Sequence, residues 1–172
     1  MITLDLIKTA LKIETTYDDQ DLLRLRDAVI SLVENHTGLS LCPRQQQQYL
    51  GSFVRTRIEG SPFISVDSVK YTSTGGTLTT MPSADWFISR KDSPSVFIDF
   101  LREPSIKDGT EIEVTYQVGY GQVPADLQHA IIALIGTFYE NPSALQLTGG
   151  SGPLPMGAEF ILQNLKVRSS LS

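Results

Sequence analysis

Disulfides, metal chemistry and membrane insertion are all poorly provided for in this 172-residue chain. The single cysteine, Cys42, rules out an intrachain disulfide and makes a reducing, intracellular setting the expectation. The two histidines, His36 and His129, fall on separate predicted helices with no H-x-x-x-H spacing, so no zinc site is predicted. No apolar run reaches the roughly 20 residues of a membrane-spanning helix. The opening "MITLDLIKTALKI" sets acids and lysines inside its apolar pattern, unlike a secretory leader. Bases are also scarce, 14 Lys and Arg against 19 Asp and Glu, and they are scattered along the chain. A net charge of −5 disfavours phosphate-backbone binding by the whole molecule, because such binding needs clustered cations to displace counterions. No solenoid-type repeat is present.

Catalytic constellations are equally thin. "GYGQVP" lacks both the Walker lysine and the G-x-G-x-x-G spacing of a phosphate loop, and "GGSG" reads as linker. Asp18, Asp19 and Asp21 lack the glycine and distal glutamate of a calcium loop, and suit a helix start, where the dipole favours negative charge. Cys42, followed by Pro43, has no activating base in its neighbourhood and reads as a small packed side chain. His36, near a helix C-terminus, and His129, on a polar helix side, have ordinary roles there. No catalytic, cofactor-binding or metal-binding residue is therefore assigned, and no enzymatic activity is predicted.

What the chain does have is a 41% apolar content and three regions of distinct periodicity. In the first, Leu4, Ile7 and Leu11 are at helical spacing behind Thr3, a candidate N-cap. A longer helix follows over "DDQDLLRLRDAVISLVENHTG", with Leu22, Leu25, Val29, Leu32 and Val33 as its stripe and Gly38 as its stop. Residues 44–118 read as β: "QQQQYL", "FVRTRIE", "SPFISVDSVKYT", "TLTTM", "DWFISR" and "SVFIDF" are short extended runs separated by turn residues. In "GTEIEVTYQVGYG", Ile112, Val114, Tyr116 and Val118 alternate with polar residues, which predicts a strand with one wet face.

A third helix is predicted between Pro124 and Asn141. Leu127, Ala130, Ile131, Leu134, Ile135 and Phe138 make its core face, and Ile132, Ala133 and Gly136 leave its far side apolar too. A helix apolar all round is buried all round, either by a neighbouring subunit or by the strands of the middle region. Beyond it, "SALQLTGGSGPLP" reads as a Gly/Pro-rich linker and "MGAEFILQNLKVRSS" as a short apolar helix, an arm or a tail folded back on the domain. The fold class is α+β: a small helical bundle (1–43 and 119–148), a β-rich insertion, antiparallel sheet or small barrel (44–118), and a C-terminal arm (149–172).

The order of these pieces resembles the head–tail connector, or adaptor, proteins of long-tailed bacteriophages. The resemblance rests on the short helix, acidic turn and long helix closing in "TG"; on "TYQVGYG" running into "VPADLQHAI"; on the helix ending "FYEN"; and on Pro155-Met156-Gly157 before a short apolar segment. It covers most of the chain and is strongest at residues 1–40 and 112–160. The resemblance implies a structural virion protein in the neck, assembled in the host bacterial cytoplasm. It would form a ring of about twelve copies that extends the DNA channel below the portal. Its implied partners are the portal protein, a stopper or tail-completion protein, further copies of itself, and double-stranded DNA that passes without specific binding; no membrane and no cofactor is involved. In that setting Ile132, Ala133 and Gly136 are candidates for the subunit interface, and Phe160, Ile161, Leu162 and Leu165 for anchors of a portal-docking arm. The alternatives are another neck or tail-completion protein such as a tail terminator, and a small cytoplasmic ligand-binding domain.

Overall fold

The computed structural model describes residues 2–90, 95–141 and 163. The chain divides into two compact units, one formed by residues 2–41 with 121–141 and the other by Cys42–Tyr120.

The first unit is helical. Helix α1 (Leu4–Leu11) starts at Thr3, whose Oγ1 accepts the Leu6 N–H at 3.3 Å. It stops at Lys12, which takes a left-handed conformation while Ile13 N–H closes back on the Lys8 carbonyl. Helix α2 (Asp19–Thr37) ends at Gly38 in the left-handed region (φ 74°), with its N–H on Glu34. The turn beyond is tied down by side chains of α2: buried Thr37 donates to the Val33 carbonyl and accepts from Leu39 N–H, and Leu41 N–H donates to the Glu34 carboxylate at 2.7 Å. Helix α3 (Ala125–Glu140) begins one residue after Pro124, which serves as the N-cap rather than the first helical residue. Its missing N–H is harmless there, since the first amides of a helix have no intrahelical partner.

These three helices bury the faces that their spacing marks out. Leu127, Ala130, Ile131, Leu134, Ile135 and Phe138 of α3 are buried in a core that also takes Ile7 of α1 and Leu22, Leu25, Val29 and Val33 of α2. Each such side chain contributes about 1.5–3 kcal/mol relative to exposure. Leu32, assigned to the same α2 stripe by its spacing, is only half-buried. Two polar ties fix the helix ends: Lys8 to Asp19 (2.7 Å) between α1 and α2, and the Tyr139 hydroxyl to Asp18 (2.9 Å) between α3 and the start of α2.

The second unit holds two antiparallel sheets. Strands β1 (Arg44–Leu50), β7 (Ile112–Val118), β3 (Phe63–Thr72) and β4 (Leu78–Thr80) form one in the order β1-β7-β3-β4. Strands β2 (Thr56–Arg57), β6 (Phe97–Phe100) and β5 (Trp86–Ser89) form the other in the order β2-β6-β5. The inward half of the alternation read in β7 is realised: Ile112, Val114, Tyr116 and Val118 are buried and lie in one core with Val69, Ile58, Phe53, Val96 and Ile98. The expected wet face is not: Thr115 is buried, and Glu113 and Gln117 are half-buried. Phe53 meets the rings of Tyr71 and Phe100 edge-on at 5.7 and 5.3 Å, a favoured aromatic geometry. The run "FVRTRIE" is strand at only Thr56–Arg57, because Phe53 turns into the core while Val54 and Arg55 stay exposed. The glutamine run splits by pleat. Gln48 points inward and stands in for backbone, donating to the Arg57 carbonyl and accepting from Glu59 N–H. Gln45 reaches across the sheet to Asp67.

Candidate assembly interface

The described residues present polar groups on exposed faces. They contain no group of three His, Cys, Asp or Glu side chains able to hold a metal. A depression lined by Asp5, Lys8, Thr9, Lys12, Ile13 and Glu14 is open to solvent. No described helix is long and apolar enough to cross a membrane.

On α3 the far side is partly covered and partly bare. Ile132 is half-buried, Ala133 is exposed, and His129 and Glu140 flank the same strip in solvent. Thr137, further along it, folds its hydroxyl back onto the Ala133 carbonyl at 2.9 Å. Gly136 has a reason within its own unit: a Cβ there would sit 2.9 Å from Leu11 Cδ2, so the missing side chain lets α1 lie close. Phe160, Ile161, Leu162 and Leu165 lie outside the described residues.

Two tyrosines show how tightly the scaffold is held. Burial beneath the four-stranded sheet, aided by the nearby Glu59 charge, pushes the Tyr116 hydroxyl up to about 12. The Tyr139 hydroxyl is raised above the ordinary range, chiefly by its hydrogen bond to Asp18. His36 has a buried Nε2 with no hydrogen-bond partner among the described residues, and Cys42 is half-buried and free.

The two sheets turn chemically different outer faces to solvent. That of the four-stranded sheet is amide-rich: Asp67 accepts from Gln45 (2.7 Å) and Gln117 (2.8 Å), and Glu113 lies 3.7 Å from Lys70 and accepts from the buried Thr115 hydroxyl (3.3 Å). That of the three-stranded sheet gathers arginines on a phenylalanine. Sequence reading missed this second face, because its members are far apart in the chain; the only signal was the arginines flanking short aromatic strands.

A helical unit with a large β-rich insertion defines an α+β protein. The chain belongs to the head completion protein family, whose model matches residues 1–152. It is a structural virion protein with a head-completion role, and not an enzyme. Its fold is that of chains in gene transfer agent particles. One is from the neck of an empty particle computed with C6 symmetry (TM-score 0.74, 21% identity, 95% of this chain and 88% of that one). Another is from the virion of a native particle (TM-score 0.73, 19% identity, 95% and 88%). A third is from the neck of a native particle computed with C12 symmetry (TM-score 0.68, 19% identity, 96% and 91%). No curated protein matches at the level of sequence.

Proposed function

We propose that this protein is a connector of the virion neck, forming a closed ring between the portal and the tail or a stopper protein and extending the DNA channel. The observation that carries the reading is a family match over residues 1–152 joined to a fold shared, across 95% of the chain, with a component of a particle neck. Neck structures with this fold were computed with C6 and C12 symmetry, which supports a ring of about twelve copies here.

A ring needs two different, complementary patches on each subunit, since its contacts run head to tail. The bare strip of α3, with Ile132 and Ala133 beside Gly136, is one proposed patch. Exposed Ala133 lets a neighbour approach closely, and half-buried Ile132 has apolar area left to cover. The sequence beyond α3, with Phe160, Ile161, Leu162 and Leu165, is the proposed portal-docking arm, because apolar anchors carry most interface energy. Double-stranded DNA passes without specific binding, in keeping with the acidic balance of the chain. Assembly takes place in the host bacterial cytoplasm.

Light scattering on the purified protein, alone and mixed with its portal protein, tests the proposal. A ring-sized species, alone or on the portal, is the expected result. A strict monomer that ignores the portal and instead binds tail-tube protein overturns it in favour of a tail-terminator role.

A further inference from the structure

We propose that the outer face of the three-stranded sheet is a docking surface for a carboxylate-bearing segment of a partner protein. The register of the sheet builds it. Arg57 pairs with Phe97, Phe97 with Ser89, and Phe87 with Asp99, so these side chains share the face turned away from the core that takes Ile88 and Ile98. Arg55, just before β2, sets its guanidinium 4.6 Å over the Phe97 ring centroid and 3.5 Å from Asp99. Arg90, just after β5, sets its own 5.8 Å from the same ring. It does so from a left-handed backbone (φ 55°), a conformation non-glycine residues rarely adopt.

Two guanidiniums therefore converge on one ring, and among the described residues the carboxylate beside them, Asp99, is already engaged by Arg55 and by the Ser89 hydroxyl. The Arg55 side chain is nevertheless 52% exposed and Phe87 is 46% exposed. Stacking on an aromatic ring pre-orients the planar donors, so they lose less freedom when a carboxylate binds them through two parallel hydrogen bonds. Phe87 adds apolar area at the rim of the same patch. Arginine beside an exposed aromatic is the composition of protein interface anchors.

The same features argue against nucleic acid. Backbone binding needs a run of cations along a phosphate track, whereas this cluster is compact and has Asp99 at its centre. Base stacking needs an open ring face, and that of Phe97 is covered by guanidinium groups. This face is independent of the α3 strip, and the proposal does not rest on ring formation.

The test uses the full chain with two fluorescein-labelled probes, a poly-L-glutamate peptide and a duplex DNA of equal charge, read by fluorescence polarisation at two salt concentrations. The expected result is peptide binding that weakens with salt. It weakens about tenfold in Arg55→Glu/Arg90→Glu and survives in part in Arg55→Lys/Arg90→Lys. Phe87→Ser, at an exposed position away from the core, weakens it as well and keeps the test valid if the double charge reversal fails to fold. No peptide binding by the unmodified protein, equal binding by a folded charge-reversed variant, or tighter binding of the duplex than of the peptide each overturns the proposal.

Discussion

Replacing Gly136 probes how close α1 and α3 really lie. Glycine in mid-helix costs roughly 1 kcal/mol against alanine, so Gly136→Ala gains that amount from helix propensity alone. The added Cβ would meet Leu11 Cδ2 at 2.9 Å. That atom is the free end of a half-buried side chain, and swinging it off its rotamer costs about 0.5–1.5 kcal/mol. Gly136→Ala should thus come out near neutral. Gly136→Leu cannot be absorbed in this way: overpacking costs about 1–3 kcal/mol, against a propensity gain of under about 1 kcal/mol, for a net loss of about 1–2 kcal/mol. Leu11→Ala removes the obstacle, and in that background Gly136→Ala should stabilise by nearly its full propensity gain. Urea denaturation of the four proteins of the Gly136→Ala/Leu11→Ala cycle, with Gly136→Leu beside them, reads out a coupling of about 1 kcal/mol. Zero coupling, or a Gly136→Leu protein as stable as the parent, would refute the close-packing account.

Two further outcomes follow from the β unit. Tyr116 titrates near 12 when folded against about 10 when unfolded. The neutral phenol is thus favoured by the fold, and its contribution is complete below pH 10 and lost as pH rises towards 12. The loss amounts to about 2–3 kcal/mol, and Tyr116→Phe should flatten this slope relative to the parent in denaturation at about pH 9 and about pH 11.5; parallel slopes would contradict the burial argument. Gly119 holds φ 119°, and a Cβ there would run into the Cys42 carbonyl and lie 2.9 Å from Pro43 Cα. Both obstacles are backbone and cannot swing aside, so Gly119→Ala should destabilise by at least about 2 kcal/mol, measurable as a lowered melting temperature.

The helices were legible because their signals are local. Thr3, Gly38 and the six apolar positions of α3 announce starts, stops and a buried face within a few residues of one another. The strands were legible singly, β7 most plainly, since alternation is also local. Pairing was not: β7 joins β1, with Arg44 paired to Val118 across 74 residues of chain, and nothing in either strand names the other. The same non-local pairing hid the arginine face. Arg55 and Arg90 looked scattered because only the β2-β6-β5 order brings both to Phe97. The bare strip of α3 was visible as apolar excess, but its division into Gly136 packed near Leu11 and Ala133 left outward needed coordinates.

The Arg44↔Val118 pairing has a topological consequence. The strand by which the chain enters the β unit and the strand by which it leaves are antiparallel neighbours, and Gly119 N–H, just past the exit, bonds the Pro62 carbonyl at 2.7 Å. Entry and exit of this module therefore sit side by side, like the two ends of a loop of string pinched between finger and thumb. Such a module can be cut out and its stubs closed by a short turn, or exchanged for another of any size, in a single genetic event. Such an exchange leaves the order of the three helices along the chain unchanged.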